Sequence, residues 1–127
     1  MQILVVGHNF DLAWIWAGHL TRQGHDCTVV SEMSAAFEAL RVNEYGVIVL
    51  DLEMPNFEAH FVADFATYRD PDIPILAVTA SGFFSGSSVF ELLPNVRGCL
   101  TPTSRLSDMT AMVEHYGNRH LSTRKSA

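Results

Sequence analysis

Residues 47–56 read VIVLDLEMPN. Val47 to Leu50 is a short, continuous apolar run rich in β-branched residues, as expected of a strand buried on both faces. It ends on one carboxylate, Asp51, and Met54-Pro55 then turns the chain. A buried strand that delivers an acid to its own tip raises the question of whether that acid does chemistry.

The same grammar repeats on both sides of this stretch. Ile3 to Val6 (ILVV) forms a first strand closed by Gly7, and Cys27 to Val30 (CTVV) a second. Ile75 to Val78 (ILAV) and Val96 to Leu100 (VRGCL) supply the fourth and fifth. Between them the patterns are helical. The first helix opens at Asn9 or Phe10 and runs to about Gln23, stopping at Gly24. Ser34 caps a second through about Val42, with Ala36, Phe37 and Leu40 facing in. A third spans about Glu58 to Tyr68. A weak one covers Ser87 to Leu93, and a last one Arg105 to Tyr116. Apolar strands alternating with helices imply an α/β fold, a doubly wound five-stranded parallel sheet covered on both faces by right-handed crossovers. Ligands in such sheets sit at the carboxyl ends of the strands. The positions of interest are therefore Gly7-His8-Asn9, Asp51, Thr79 and Thr101-Pro102.

Composition bounds the function. The 127 residues make one ordinary domain, and 48% of them are hydrophobic, enough for a core. No run approaches the ~20 apolar residues of a membrane span, and no signal peptide is visible. Cys27 and Cys99 lie far apart without metal-ligand spacing, which fits reduced thiols and a cytoplasmic setting. The net charge of −6 is uneven. Residues 1–116 hold five arginines against fourteen acids, a net of −9, whereas 117–127 (GNRHLSTRKSA) is basic and polar. An acidic body repels phosphate backbones, so nucleic acid is not an expected partner. The division is a domain over 1–116 and a basic C-terminal tail over 117–127, expected to fray.

With these motifs in place, the chain resembles the receiver domain of bacterial two-component response regulators over about Gln2 to Tyr116. VIVLDLEMPN resembles the phosphoacceptor segment, with Asp51 in the acceptor position. PILAVTAS resembles the fourth strand, with Thr79 as the switch hydroxyl. The resemblance implies the flavodoxin-like strand order 2-1-3-4-5. It also implies two acids after the first strand that hold Mg²⁺ together with the acceptor, and a lysine followed by proline after the fifth. Here the acid positions read Gly7 and His8. The fifth strand continues as CLTPT, so Pro102 either occupies the lysine position or is the family proline after a deletion. In the second case the Thr101–Pro102 bond is expected to be cis. The only lysine is Lys125. Cys99 stands where the family has its switch aromatic, and Ala59 where it has a glycine.

Mg²⁺ prefers oxygen ligands, so glycine and imidazole leave it at most weakly held, and no other cofactor is implied. The expected function is that of an atypical single-domain receiver in phosphorelay-type signalling. It is not an enzyme, and it acts by contact with a protein such as a histidine kinase or output protein, or with a second copy. Two alternatives stay open: a working phosphoacceptor at Asp51 with unusual ligands, and a small-ligand-binding pseudo-receiver.

Other features qualify this reading. His8 would pair with Asp51 or simply bond to loop backbone. His19, His25 and His60 suggest no metal site. Thr79 and Ser81 lack a nucleophile elbow, and VVGHN lacks the GxGxxG of a dinucleotide site. On the first helix Leu12, Ile15, Trp16 and Leu20 are expected inward. Trp14 is then outward beside Ala13, Ala17, Gly18 and Thr21, a surface another helix could approach. Phe83 and Phe84, in a glycine-flanked segment, and Cys99 are further interface candidates.

Overall fold

The computed structural model describes residues 1–80 and 93–126. The elements are β1 (Gln2–Val6), α1 (Phe10–Arg22), β2 (Asp26–Val30), α2 (Met33–Val42), β3 (Val47–Asp51), a 3-10 turn (Pro55–Phe57), α3 (Glu58–Arg69), β4 (Ile75–Val78), β5 (Val96–Leu100) and α4 (Leu106–Ser126). The strands form one sheet in the order β2-β1-β3-β4-β5, all neighbours parallel. This is the expected doubly wound architecture. The weak helix expected over Ser87–Leu93, and Phe83 and Phe84, fall on residues 81–92, outside the described residues, except for buried Leu93.

Strand alternation divides the core in two. Leu4, Val6, Ile48, Leu50, Ile75 and Ala77 face α2 and α3, where Leu40, Val62 and Ala66 meet them. Ile3, Val5, Val47, Val49, Leu76 and Val78 face α1 and α4, against Trp16, Leu20, Met109 and Val113. β2 is an edge strand, and its last four residues are only half-buried.

The structure corrects the inward face of α1. Ala13, Trp16, Ala17 and Leu20 are buried, whereas Ile15 is 57% exposed and Leu12 only partly buried. Trp14 is exposed as expected, at 54%. The reason is proximity. α1 lies so close to β1 that a Cβ on Gly7 would stand 3.1 Å from the Ala13 Cβ. Ala13 takes this closest approach, Trp16, Ala17 and Leu20 complete the same face, and the branched Ile15 is turned out.

The expected end of the last helix at Tyr116 is also corrected, since α4 continues through 117–126. Polar docking holds its final turns. His120 Nε2 lies 2.8 Å from Asp70 Oδ2 with its side chain 4% exposed. Arg124 donates to Asp70 Oδ2 at 2.9 Å and to Glu44 Oε1 at 2.8 Å. Further up, His25 links Glu114 (2.9 Å) and the Met1 amino group (3.2 Å), tying α4 to the start of β1 and β2. Among the described residues no helix is long and apolar enough to cross a membrane.

Candidate functional site

The carboxyl ends of β1, β3, β4 and β5 converge on Asp51. Its position follows from the β3 register: Asp51 pairs with Val78, and the Leu52 amide donates to Val78 O at 2.9 Å. Thr79 is therefore the next residue on the neighbouring tip. It is buried, and its amide donates to Leu100 O at 3.0 Å. Gly7 and His8 follow β1, whose Val6 pairs with Leu50. The structure thus brings Asp51, Thr79, Gly7 and His8 to one end of the sheet.

Both oxygens of Asp51 are engaged by backbone. Oδ2 accepts from the His8 amide at 3.1 Å and Oδ1 from the Glu53 amide at 2.9 Å. The link between His8 and Asp51 is thus made by main chain, and the His8 residue is exposed. Glu53 crosses to the β4 tip, where its Oε1 accepts from the Ala80 amide at 3.2 Å. Asn9 is occupied as the N-cap of α1, accepting from the Leu12 amide at 3.1 Å. This satisfies one of the free amides of the first turn.

After β5 the chain makes a polar turn. The Thr101 amide donates to Ser104 Oγ at 2.9 Å and the Ser104 amide to Thr101 O at 3.0 Å. No cis peptide bond occurs among the described residues, so the Thr101–Pro102 bond is trans and the expectation of a cis bond is corrected. Cys99 is exposed on β5. Arg97 is turned towards the opposite end of the sheet, and Arg105 lies exposed ahead of α4.

The residues present do not fit a resident Mg²⁺. A magnesium ion calls for octahedral oxygen ligation with one or more carboxylates. The acids here are Asp51, whose two oxygens already accept amide hydrogens, and Glu53, which is turned to the Ala80 amide, flanked by a glycine and an imidazole. Beside Asp51 lies a hollow of only about 20 Å³, lined by Gly7, Asn9, Leu12, Trp16 and Val78, with room for about one water. A larger hollow of about 590 Å³ lies between the loops after β1, β2 and β3; its charged residues are the carboxylates Glu32 and Glu58, with His8.

One feature of this end gave no sequence signal. Asn56 and Phe57 both adopt left-handed backbone, with φ of 58° and 57°. Asparagine tolerates this conformation, but for a bulky aromatic it is strained. Phe57 is also 77% exposed, its ring meeting His60 edge-on at 6.1 Å.

The sequence matches no protein-family model and no curated protein. Solved structures share the fold. A receiver domain of a Francisella response regulator is 21% identical with a TM-score of 0.79, over 93% of this chain and 97% of that one. A CheY-like response regulator receiver domain protein from Methanospirillum hungatei is 15% identical with a TM-score of 0.83, over 96% and 97%. NtrX from Brucella abortus reaches a TM-score of 0.86 at 16% identity; there the match covers 98% of this chain but 28% of NtrX. The receiver fold is thereby shown; the chemistry rests on this chain's own residues.

Proposed function

We propose that this chain is a receiver-type signalling module that works by protein–protein contact, with phosphorylation of Asp51 impaired or absent. The observation that carries the reading is the surroundings of Asp51. Transfer of a phosphoryl group to a carboxylate gathers negative charge, which a metal ion or a positioned cation must offset. Gly7 and His8 supply no carboxylate for a metal, and the turn at Thr101–Ser104 supplies no cation. The carboxylate is instead a structural acceptor that ties the β1–α1 loop and its own loop to the β3 tip through two amides.

The natural partner of such a module is a protein: a histidine kinase, an output protein or a second copy of the chain. Trp14 and Ile15 on α1, and Phe57 and Phe61 at the start of α3, offer exposed apolar surface on an acidic body. Nucleic acid is disfavoured by that charge. An anionic metabolite above the strand tips is disfavoured by Glu32 and Glu58.

The test is incubation with acetyl phosphate and Mg²⁺, followed by intact-mass measurement. The expected spectrum shows no added phosphoryl group. Efficient Mg²⁺-dependent labelling that disappears in Asp51→Asn would overturn the proposal and make the chain a working phosphoacceptor with unusual ligands.

A further inference from the structure

At the opposite end of the sheet from Asp51 a second hollow, of about 360 Å³, opens between the entry to β4, the edge strand β5 and the final turns of α4. Arg97, Arg119, His120 and Thr123 line it, with Asp72 at the approach to β4.

Arg97 reaches this hollow through an irregularity in β5. Ile75 pairs with Val96 and Leu76 with Gly98, so Arg97 is an extra residue with no partner on β4. Such a bulge breaks the two-residue alternation and re-aims a side chain. The Arg97 guanidinium donates to Pro94 O through Nη1 at 2.7 Å, which leaves its other N–H groups available. Neither Arg97 nor Arg119 has a carboxylate partner among the described residues.

His120 is the second, independent sign. Its side chain is nine-tenths buried, and Nε2 is committed to Asp70. Asp70 Oδ2 also receives Arg124, and an ionised carboxylate only accepts, so the ring hydrogen sits on Nε2. Nδ1 is then the one remaining polar atom of the ring. It has no partner among the described residues, on a side chain that lines the hollow.

We propose that this hollow binds a phosphate group, carried by a small phosphomonoester or as free phosphate. The oxygens of a tetrahedral anion accept from the Arg97 and Arg119 forks, the type of contact guanidinium serves best. A hydrogen phosphate also answers either state of His120: its hydroxyl donates to a neutral Nδ1, or its oxygen accepts from a protonated one. Two guanidiniums against Asp72 leave a modest positive excess, suited to a single anionic group. The space exceeds what phosphate alone needs and falls in the range of small-molecule sites. Asp72 is then an acceptor for a hydroxyl on the remainder of the ligand. The site is independent of Asp51.

The experiment is an amide ¹H–¹⁵N NMR titration of the full chain with inorganic phosphate, and separately with glycerol phosphate, at matched ionic strength. The expected result is saturable shifts confined to the β5 bulge and to 119–123. Arg97→Ala or Arg119→Ala should raise Kd at least about tenfold, the loss of one charge-assisted hydrogen bond. Both residues are exposed, so the rest of each variant's spectrum should be unchanged, and Arg22→Ala should bind like wild type. Tighter binding of glycerol phosphate identifies a phosphomonoester, and equal binding identifies phosphate itself. No saturable shift at concentrations on the order of 10 mM overturns the proposal. So do shifts insensitive to Arg97→Ala and Arg119→Ala, which mean an adventitious ion only, and binding of an acidic peptide in place of phosphate.

Discussion

Replacing Gly7 by aspartate tests why the first acid position is empty. The new Cβ would lie 3.1 Å from Ala13 Cβ and 3.6 Å from Asn9 O. Carbon atoms in contact settle at about 3.5–4.0 Å, so the shortfall against Ala13 is about half an ångström. Ala13 cannot yield alone, because α1 is held on the same face by buried Trp16, Ala17 and Leu20. Overpacking of this kind costs about 1–3 kcal/mol. His8 is exposed, and His8→Asp should stay within about 0.5 kcal/mol. Ala13→Gly removes the opposing Cβ at about 1 kcal/mol of helix propensity, so it should rescue Gly7→Asp in part. Urea unfolding at constant m-value measures these differences. The combined variant Gly7→Asp, His8→Asp, Ala13→Gly surrounds the site with three carboxylates. Its Mg²⁺ affinity should exceed that of wild type at least about tenfold, from a wild-type Kd in the millimolar range, about 4 kcal/mol. Trp16, which lines the same small hollow as Asp51, is the fluorescent reporter. Adding Pro102→Lys should then allow acetyl phosphate to label Asp51. A Gly7→Asp cost below about 0.5 kcal/mol would refute the packing argument. Equal Mg²⁺ affinity in wild type and the combined variant would refute the argument from missing acids.

Three further outcomes are expected. Asp70→Ala strands the buried His120 ring and leaves Arg124 with Glu44 alone, and should cost roughly 2–3 kcal/mol in urea unfolding; a loss under about 0.5 kcal/mol would mean that the last turns of α4 are not docked through Asp70. Trp14→Ser and Ile15→Ser should reduce self-association or partner capture in sedimentation and pull-down experiments, and variants that sediment and bind like wild type would remove α1 from the interface. Burial, outweighing a hydrogen bond with Thr21, raises the Cys27 thiol above its ordinary pKa, so less thiolate is present at neutral pH; iodoacetamide should alkylate Cys27 more slowly than free cysteine, with the rate still climbing above the pH where the free thiol levels off, and equal rates would contradict the burial.

The strands were legible because each is a short apolar run closed by a turn residue or an acid, and five such runs alternating with helical patterns admit few topologies. Trp16 and Leu20 are inward as expected, but Ile15 was misread because hydrophobicity ranks it above Ala13 and Ala17, whereas the closest approach to the loop after β1, at Ala13, calls for a small residue. The glycine that signals this close approach, Gly7, is in the sequence, but its partner Ala13 is identified only when the helix is placed on the sheet. The end of α4 was misread for a different reason. Its docking is polar, and the acids that receive His120 and Arg124 are Asp70 and Glu44, at least fifty positions upstream. No local window contains such a pairing. Composition alone therefore turned a docked helix into a basic tail.

At the candidate site, sequence reading placed Asp51 and Thr79 on neighbouring tips but could not say what holds the acid. Its partners are the amides of His8 and Glu53, and an amide is present whatever side chain occupies the position. That separates two properties of the loop after β1. The main chain there can position a carboxylate with almost any residue at position 8. The side chains at 7 and 8 are what would add metal-ligating oxygens beside that carboxylate. A structural likeness at 15–21% identity reports the first property and is silent on the second. The packing of Gly7 against Ala13 joins the two. A chain that brings α1 this close to the loop after β1 leaves little slack for a side chain at position 7, so the residues at 7 and 13 have to be chosen together.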